Sequence, residues 1–171
     1  FLESHRDAVV PVLVDLAAGP RPSSDIALHH LCRFEGPKDE VAPLLLRLAS
    51  DPTHPASISA LRALPSTELP PDAYVAILRE ALASDDDLRR ANAIEMLGDA
   101  GPRAADLAPE LLALCKGESM AAADAARALG RVGVVSDEVV NALVELTCTP
   151  DAWGAEVAMG SLIGLALPDD R

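Results

Sequence analysis

Six polar residues recur along this 171-residue chain at a nearly fixed interval: His29, Arg62, Glu95 and Arg127 in one series, Asn92 and Asp124 in another. Successive members stand 32 or 33 residues apart. Acid, base and amide groups repeated in this way suit recognition of another polar surface. Bond-breaking chemistry needs more, namely a nucleophile, a base and an orienting group within hydrogen-bond reach. The sequence contains no GxSxG elbow, no GxxxxGK[ST] phosphate loop and no cysteine beside a histidine. His29 and His30 project about 100° apart on a helix and cannot easily share an ion. His29 and Glu95 belong to positions two repeats apart, about 20 Å at ordinary helix spacing. His5 and His54 fall near helix starts. The chain is therefore expected to be no enzyme, with no catalytic residue, no metal site and no cofactor.

Charge narrows the partner. Against 27 Asp and Glu stand 14 Lys and Arg, a net charge of −13. Nucleic acid and anionic membrane are excluded on that balance, since both are bound through clustered Lys and Arg. A protein partner is expected, basic where it is charged. Cys32, Cys115 and Cys148 lie far apart, which suits free thiols in a reducing compartment rather than a disulfide framework. Cys115 and Cys148 follow apolar first-helix positions and read as packing residues. The longest uncharged run, VAMGSLIGLALP at 157–168, is too short to span a bilayer. No basic-then-apolar leader opens the sequence, and a cytoplasmic location is expected. The start at Phe1, without methionine, suggests a processed form or part of a longer protein. All but two of the basic residues, Lys38 and Lys116, are arginine; with much Ala, Pro and Gly this points to a GC-rich bacterial source.

The elements that position these residues follow from two interleaved series. Leu31, Leu64, Leu97, Leu129 and Leu162 keep the same interval, and an alanine precedes each by four: Ala27, Ala60, Ala93, Ala125 and Ala158. Between them fall Leu28, Leu61, Ile94, Ala126 and Met159, completing the inner stripe of a helix. The segments VVPVLVDL, VAPLLLRL, YVAILREA, LAPELLAL and VVNALVEL supply a preceding helix, anchored at Val9, Val41, Tyr74, Leu107 and Val139. The anchors are 32, 33, 33 and 32 residues apart. The period predicts a single all-α domain of five helical hairpins over residues 5–35, 37–66, 70–100, 103–133 and 135–167. Each hairpin needs its neighbours to bury its apolar faces, which makes an α-solenoid.

Boundary residues agree with that frame. Asp7, Asp39–Glu40, Asp72 and Asp137–Glu138 open first helices, where they read as caps and dipole partners rather than as an acidic recognition patch. Gly98 and Gly130, in the echoed IEMLGDAG and ARALGRVG, are expected to end second helices in a left-handed conformation, and Pro65 stops another. Pro11, Pro43 and Pro109 recur at one first-helix position, predicting a shared bend.

A helix carrying V-x-P-x-L-φ-x-L followed by one closing on A-φ-x-x-L-G resembles the HEAT repeat, in the short HEAT-like form also found in phycobilin lyases. The resemblance covers nearly the whole chain. Tetratricopeptide repeats share the period, but their aromatic signature positions are absent, and armadillo repeats use a longer unit. The resemblance implies a right-handed α-solenoid whose second helices line a concave face, and a scaffold or adaptor function. A lyase-type enzyme or subunit holding a small cofactor in the groove is the alternative it carries. It also implies an inner-turn aspartate with an arginine early in the second helix, kept here only as Asp85–Asp87 ahead of Arg89 and replaced elsewhere by Ala56, Ala121 and Gly154. Neither the His-Glu dipeptides of HEAT-like di-iron hydroxylases nor the basic, aromatic wall of HEAT-fold glycosylases is present.

On this frame His29, Arg62, Asn92, Glu95, Asp124 and Arg127 are the expected partner-binding residues. Arg62, Glu95 and Arg127 form either a plain surface ion-pair ladder or a recognition strip. Trp153, whose equivalents are Pro22, Pro55, Leu88 and Met120, is expected to be buried between helices, with an exposed binding anchor as the alternative. The last second helix carries no charge from Val157 to Leu167. Terminal repeats need a polar outer face, so Val157, Gly160 and Ile163 are expected to form an apolar interface. It would be covered by further repeats, a second copy or a partner.

Overall fold

A computed structural model describes residues 6–33, 38–67, 69–70, 72–117, 121–150 and 152–166. His5, Phe34 and Met120 lie outside the described residues, as do the side chains of Asp7, Asp39, Glu40 and Asp72. The described residues are helical, without strands. They form α1 (Arg6–Ala18), α2 (Ser23–Arg33), α3 (Lys38–Ser50), α4 (Ser57–Ala63), α5 (Asp72–Leu82), α6 (Asp87–Ala100), α7 (Ala108–Cys115), α8 (Ala121–Val132), α9 (Asp137–Thr147) and α10 (Ala152–Ala166). Short 3-10 segments, Leu64–Ser66 and Gly101–Leu107, adjoin α4 and α7. None of these helices is long and apolar enough to cross a membrane.

The chain divides into two compact units, Phe1–Ile77 and Leu78–Arg171, with the division falling inside α5. In the first, α1 packs on α2 and α3 on α4, while α2 meets α4 and α1 meets α3. In the second, α7 packs on α8 and α9 on α10, while α8 lies between α6 and α10 and α7 meets α9. The core of each unit is the stripe read from the sequence. Ala27, Ala60, Ala93, Ala125 and Ala158 are buried, as are Leu31, Leu64, Leu97 and Leu129; Leu162 is half-buried. Small alanines on this stripe let helix axes approach while the leucines fill the space between them.

Helix ends depart from expectation in an informative way. α6 and α8 run past Gly98 and Gly130, and among the described residues the positive-φ glycines are Gly101 (φ 58°) and Gly133 (φ 76°). The second glycine of each echoed motif ends the helix, where a side chain would be strained. Gly98 and Gly130 serve close packing instead. A Cβ on Gly98 would lie 3.4 Å from Ala128 Cα, and one on Gly130 would lie 2.7 Å from Ser161 Cβ. The prolines also differ among themselves. Pro11 and Pro43 sit inside unbroken helices, whereas Pro109 is in the first turn of α7, where no hydrogen-bond donor is lost. Pro65 is the middle residue of the 3-10 turn Leu64–Ser66 that follows α4, where the helix is expected to stop.

Among the acids expected at first-helix starts, Asp137 and Glu138 have described side chains, and they follow a serine cap rather than forming one. Asp86 accepts from Leu88 N (2.9 Å) and Arg89 N (3.3 Å) at the start of α6. Ser136 accepts from Val139 N at 3.2 Å, with Asp137 and Glu138 in the first turn of α9. In the first unit the turn after α3 is tied to the end of α1. His54 Nε2 bonds the Gly19 carbonyl oxygen at 2.9 Å, and its Nδ1 accepts from Ala56 N at 3.1 Å. The proton is thereby placed on Nε2. Ser24 donates to the same Gly19 oxygen. Asp51 accepts from the Thr53 hydroxyl and amide, which hold its carboxyl below the usual carboxylate range, and so fixes the turn that presents His54. Replacing His54 by alanine is expected to lower stability by about 1–2 kcal/mol. A urea midpoint unchanged from wild type would contradict that role.

Candidate functional site

Five ionic side chains occupy one surface of the second unit. Glu95 and Asp99 lie one turn apart on α6, and Asp124, Arg127 and Arg131 occupy one face of α8. α6 and α8 pack directly together, and Arg131 joins them through an ion pair with Asp99. Arg127 pairs with Asp124 on its own helix. Glu95 is exposed and takes part in no ion pair among the described residues. The Arg127–Asp124 pair therefore takes the place of the ladder rung expected between Arg127 and Glu95: Arg127 has an acid one turn away on its own helix, whereas Arg131, which has none, reaches across to α6. Arg62 is exposed on α4 and also enters no ion pair among the described residues. His29 is exposed on α2, edge-on to His30 with ring centroids 5.8 Å apart.

Asn92 does not belong to this surface. It is 7% exposed, and its amide donates to Leu88 O at 2.7 Å. α6 is covered on the flank that carries Asn92, so the amide satisfies itself on the helix backbone. Arg89, one turn earlier, is 4% exposed and is likewise an interior residue. The expected recognition set thus reduces, in this unit, to Glu95, Asp124 and Arg127, enlarged by Asp99 and Arg131. Those two were missed although a signal existed: opposite charges stand one repeat apart, at 99 and 131. Arg79 and Glu110, 31 residues apart and so off the repeat interval, also pair between α5 and α7 at 2.9 Å.

Chemically the strip offers charge and hydrogen bonds at fixed places, with three acids and two bases. Among the described residues no three of His, Cys, Asp and Glu gather as a metal-binding group. Cys115 is buried, and burial pushes its thiol up, away from the reactive thiolate. Cys148, expected to pack, is exposed because α9 ends at Thr147. In comparisons with known proteins, the chain matches no family model and no curated protein.

The expectation for Trp153 is also corrected. It is 46% exposed at the start of α10, just as its equivalent Leu88 is exposed at the start of α6. Farther along α10, Val157 is half-buried, whereas Gly160 and Ile163 are exposed.

Proposed function

We propose that the chain is a right-handed α-solenoid of five HEAT-like hairpins and acts as a non-enzymatic scaffold, binding a protein partner on the surface of its second helices. The mixed-charge strip of α6 and α8 carries this reading. It holds charges of both signs on rigid helices, two bases fixed in ion pairs and one acid, Glu95, left for a basic group of the partner. The buried alanine and leucine columns support the repeat, as does the packing of hairpin on hairpin within each unit. His29 and Arg62 hold the equivalent places on α2 and α4. A binding strip of this kind gives specificity and a salt-dependent association rate more than raw affinity.

The test is affinity capture with the wild-type chain beside a Glu95→Lys, Arg127→Glu double variant that keeps its helical circular dichroism. A specific protein retained by the wild type should bind the variant at least about tenfold more weakly. Its capture should also fall with added salt. Equal capture of the same protein by both chains would remove the strip from the interface.

A further inference from the structure

The outer face of α10 differs from the corresponding face of every earlier second helix. Leu28, Leu61, Ile94 and Ala126 are fully buried, whereas Met159, at the same repeat position, is 50% exposed. Around it Glu156, Gly160, Ile163 and Gly164 are exposed too, at the spacing of one helical stripe. Ile163 is 60% exposed. A Cβ built on Gly160 or Gly164 would meet nothing within 4 Å. The face is therefore a projecting isoleucine beside a notch floored by two glycines one turn apart.

Three occupants can be separated on this chemistry. Another hairpin stacked as α8 stacks on α6 would have to accommodate Ile163, which stands at the repeat position where Gly98 and Gly130 let the next helix approach closely. A basic protein or an anionic lipid surface has little to bind. Glu156 is the one ionisable group on α10, and the chain carries −13 overall. A second copy of the chain fits both the shape and the charge. Knob and notch lie on the same face, so each copy can place Ile163 over the Gly160–Gly164 notch of the other, as an isologous contact requires. In an antiparallel crossing centred near residue 162, the two Glu156 side chains stand about 18 Å apart along the axis. That exceeds the screening length at physiological salt. The two −13 chains then meet along a fifteen-residue helix that carries a single charge. Helices in this fold already approach through small residues, at Gly98 with Ala128 and at Gly130 with Ser161.

We infer that the chain self-associates as a two-fold dimer through antiparallel contact of α10 with α10 of a second copy, Ile163 of each seated in the Gly160–Gly164 notch of the other. The inference is independent of the partner strip on α6 and α8. One helix per side buries less than the roughly 800 Å² of a stable standard interface, so the dimer is weak and concentration-dependent.

Sedimentation equilibrium of the full chain from about 1 μM to about 1 mM spans the relevant range. The wild type should pass from monomer to dimer and no further. Ile163→Asp removes the knob, and Gly164→Leu fills the notch from a Cβ position that meets nothing within 4 Å in its own chain. Each should weaken dimerisation at least about tenfold, with thermal unfolding showing the monomer intact. Val12→Asp, on the exposed face of α1, should leave it unchanged. A monomer throughout, growth beyond a dimer, or a dimer indifferent to both α10 variants would overturn the inference.

Discussion

Gly130→Ala is expected to destabilise the protein by about 1–3 kcal/mol, although alanine is the better helix former by up to about 1 kcal/mol. The reason is contact, not conformation. Gly130 lies within α8, and the added methyl would stand 2.7 Å from Ser161 Cβ and 2.9 Å from Ser161 Cα on α10. A side-chain end could swing away, but a Cα moves only with its helix, so α8 and α10 must separate. Separation loses packing along the whole contact. Gly98→Ala is the matched control. Its methyl would meet Ala128 Cα at 3.4 Å, an ordinary contact, so the propensity gain and the slight crowding should leave stability within about 0.5 kcal/mol of wild type. Chemical denaturation of the two variants side by side decides the matter. Equal midpoints would mean that α8 and α10 are not held at the distance the structure gives.

The contrast also bears on what the sequence could reveal. The interval of 32 or 33 residues exposed the helices, their pairing by type and the buried columns, because a helix must repeat its apolar face to be covered. It could not say which glycine of IEMLGDAG ends the helix. Both glycines suit a C-terminus in isolation, and only the proximity of the next helix assigns Gly98 to packing and Gly101 to the positive φ. Asn92 was misplaced for a related reason. A polar residue at a stripe's edge is exposed or covered according to how far the neighbouring helix reaches over it, which a period does not encode. Trp153 differs in the opposite sense: its apolar column at the start of second helices is exposed, at Trp153 and Leu88 alike. Of the candidate strip, the residue types and their helices were legible. The ion-pair pattern was not, since Arg127 had a choice between Asp124 on its own helix and Glu95 on the next. Asp99 and Arg131 could have been found by searching for opposite charges one repeat apart.

Leu129→Ala carries the largest expected effect, a loss of about 3–5 kcal/mol, or a fall in Tm of about 10 °C. Leucine and alanine differ little as helix formers, so the loss measures the core alone. Leu129 is fully buried on α8, the helix that packs on α6, α7 and α10 together. Neighbours fixed on three sides cannot collapse into the space left by the missing atoms, and a cavity that cannot close costs most. Leu162 occupies the same repeat position on α10 but is only half-buried, so Leu162→Ala should cost less than half as much. That ratio tests the repeat directly: equivalent residues differ in worth only because one helix has neighbours on both sides and the other ends the second unit's described helices. If the two variants lost equal stability in dilute solution, the leucine column would not be a shared spine of stacked hairpins, and each helix would have to be held by contacts of its own.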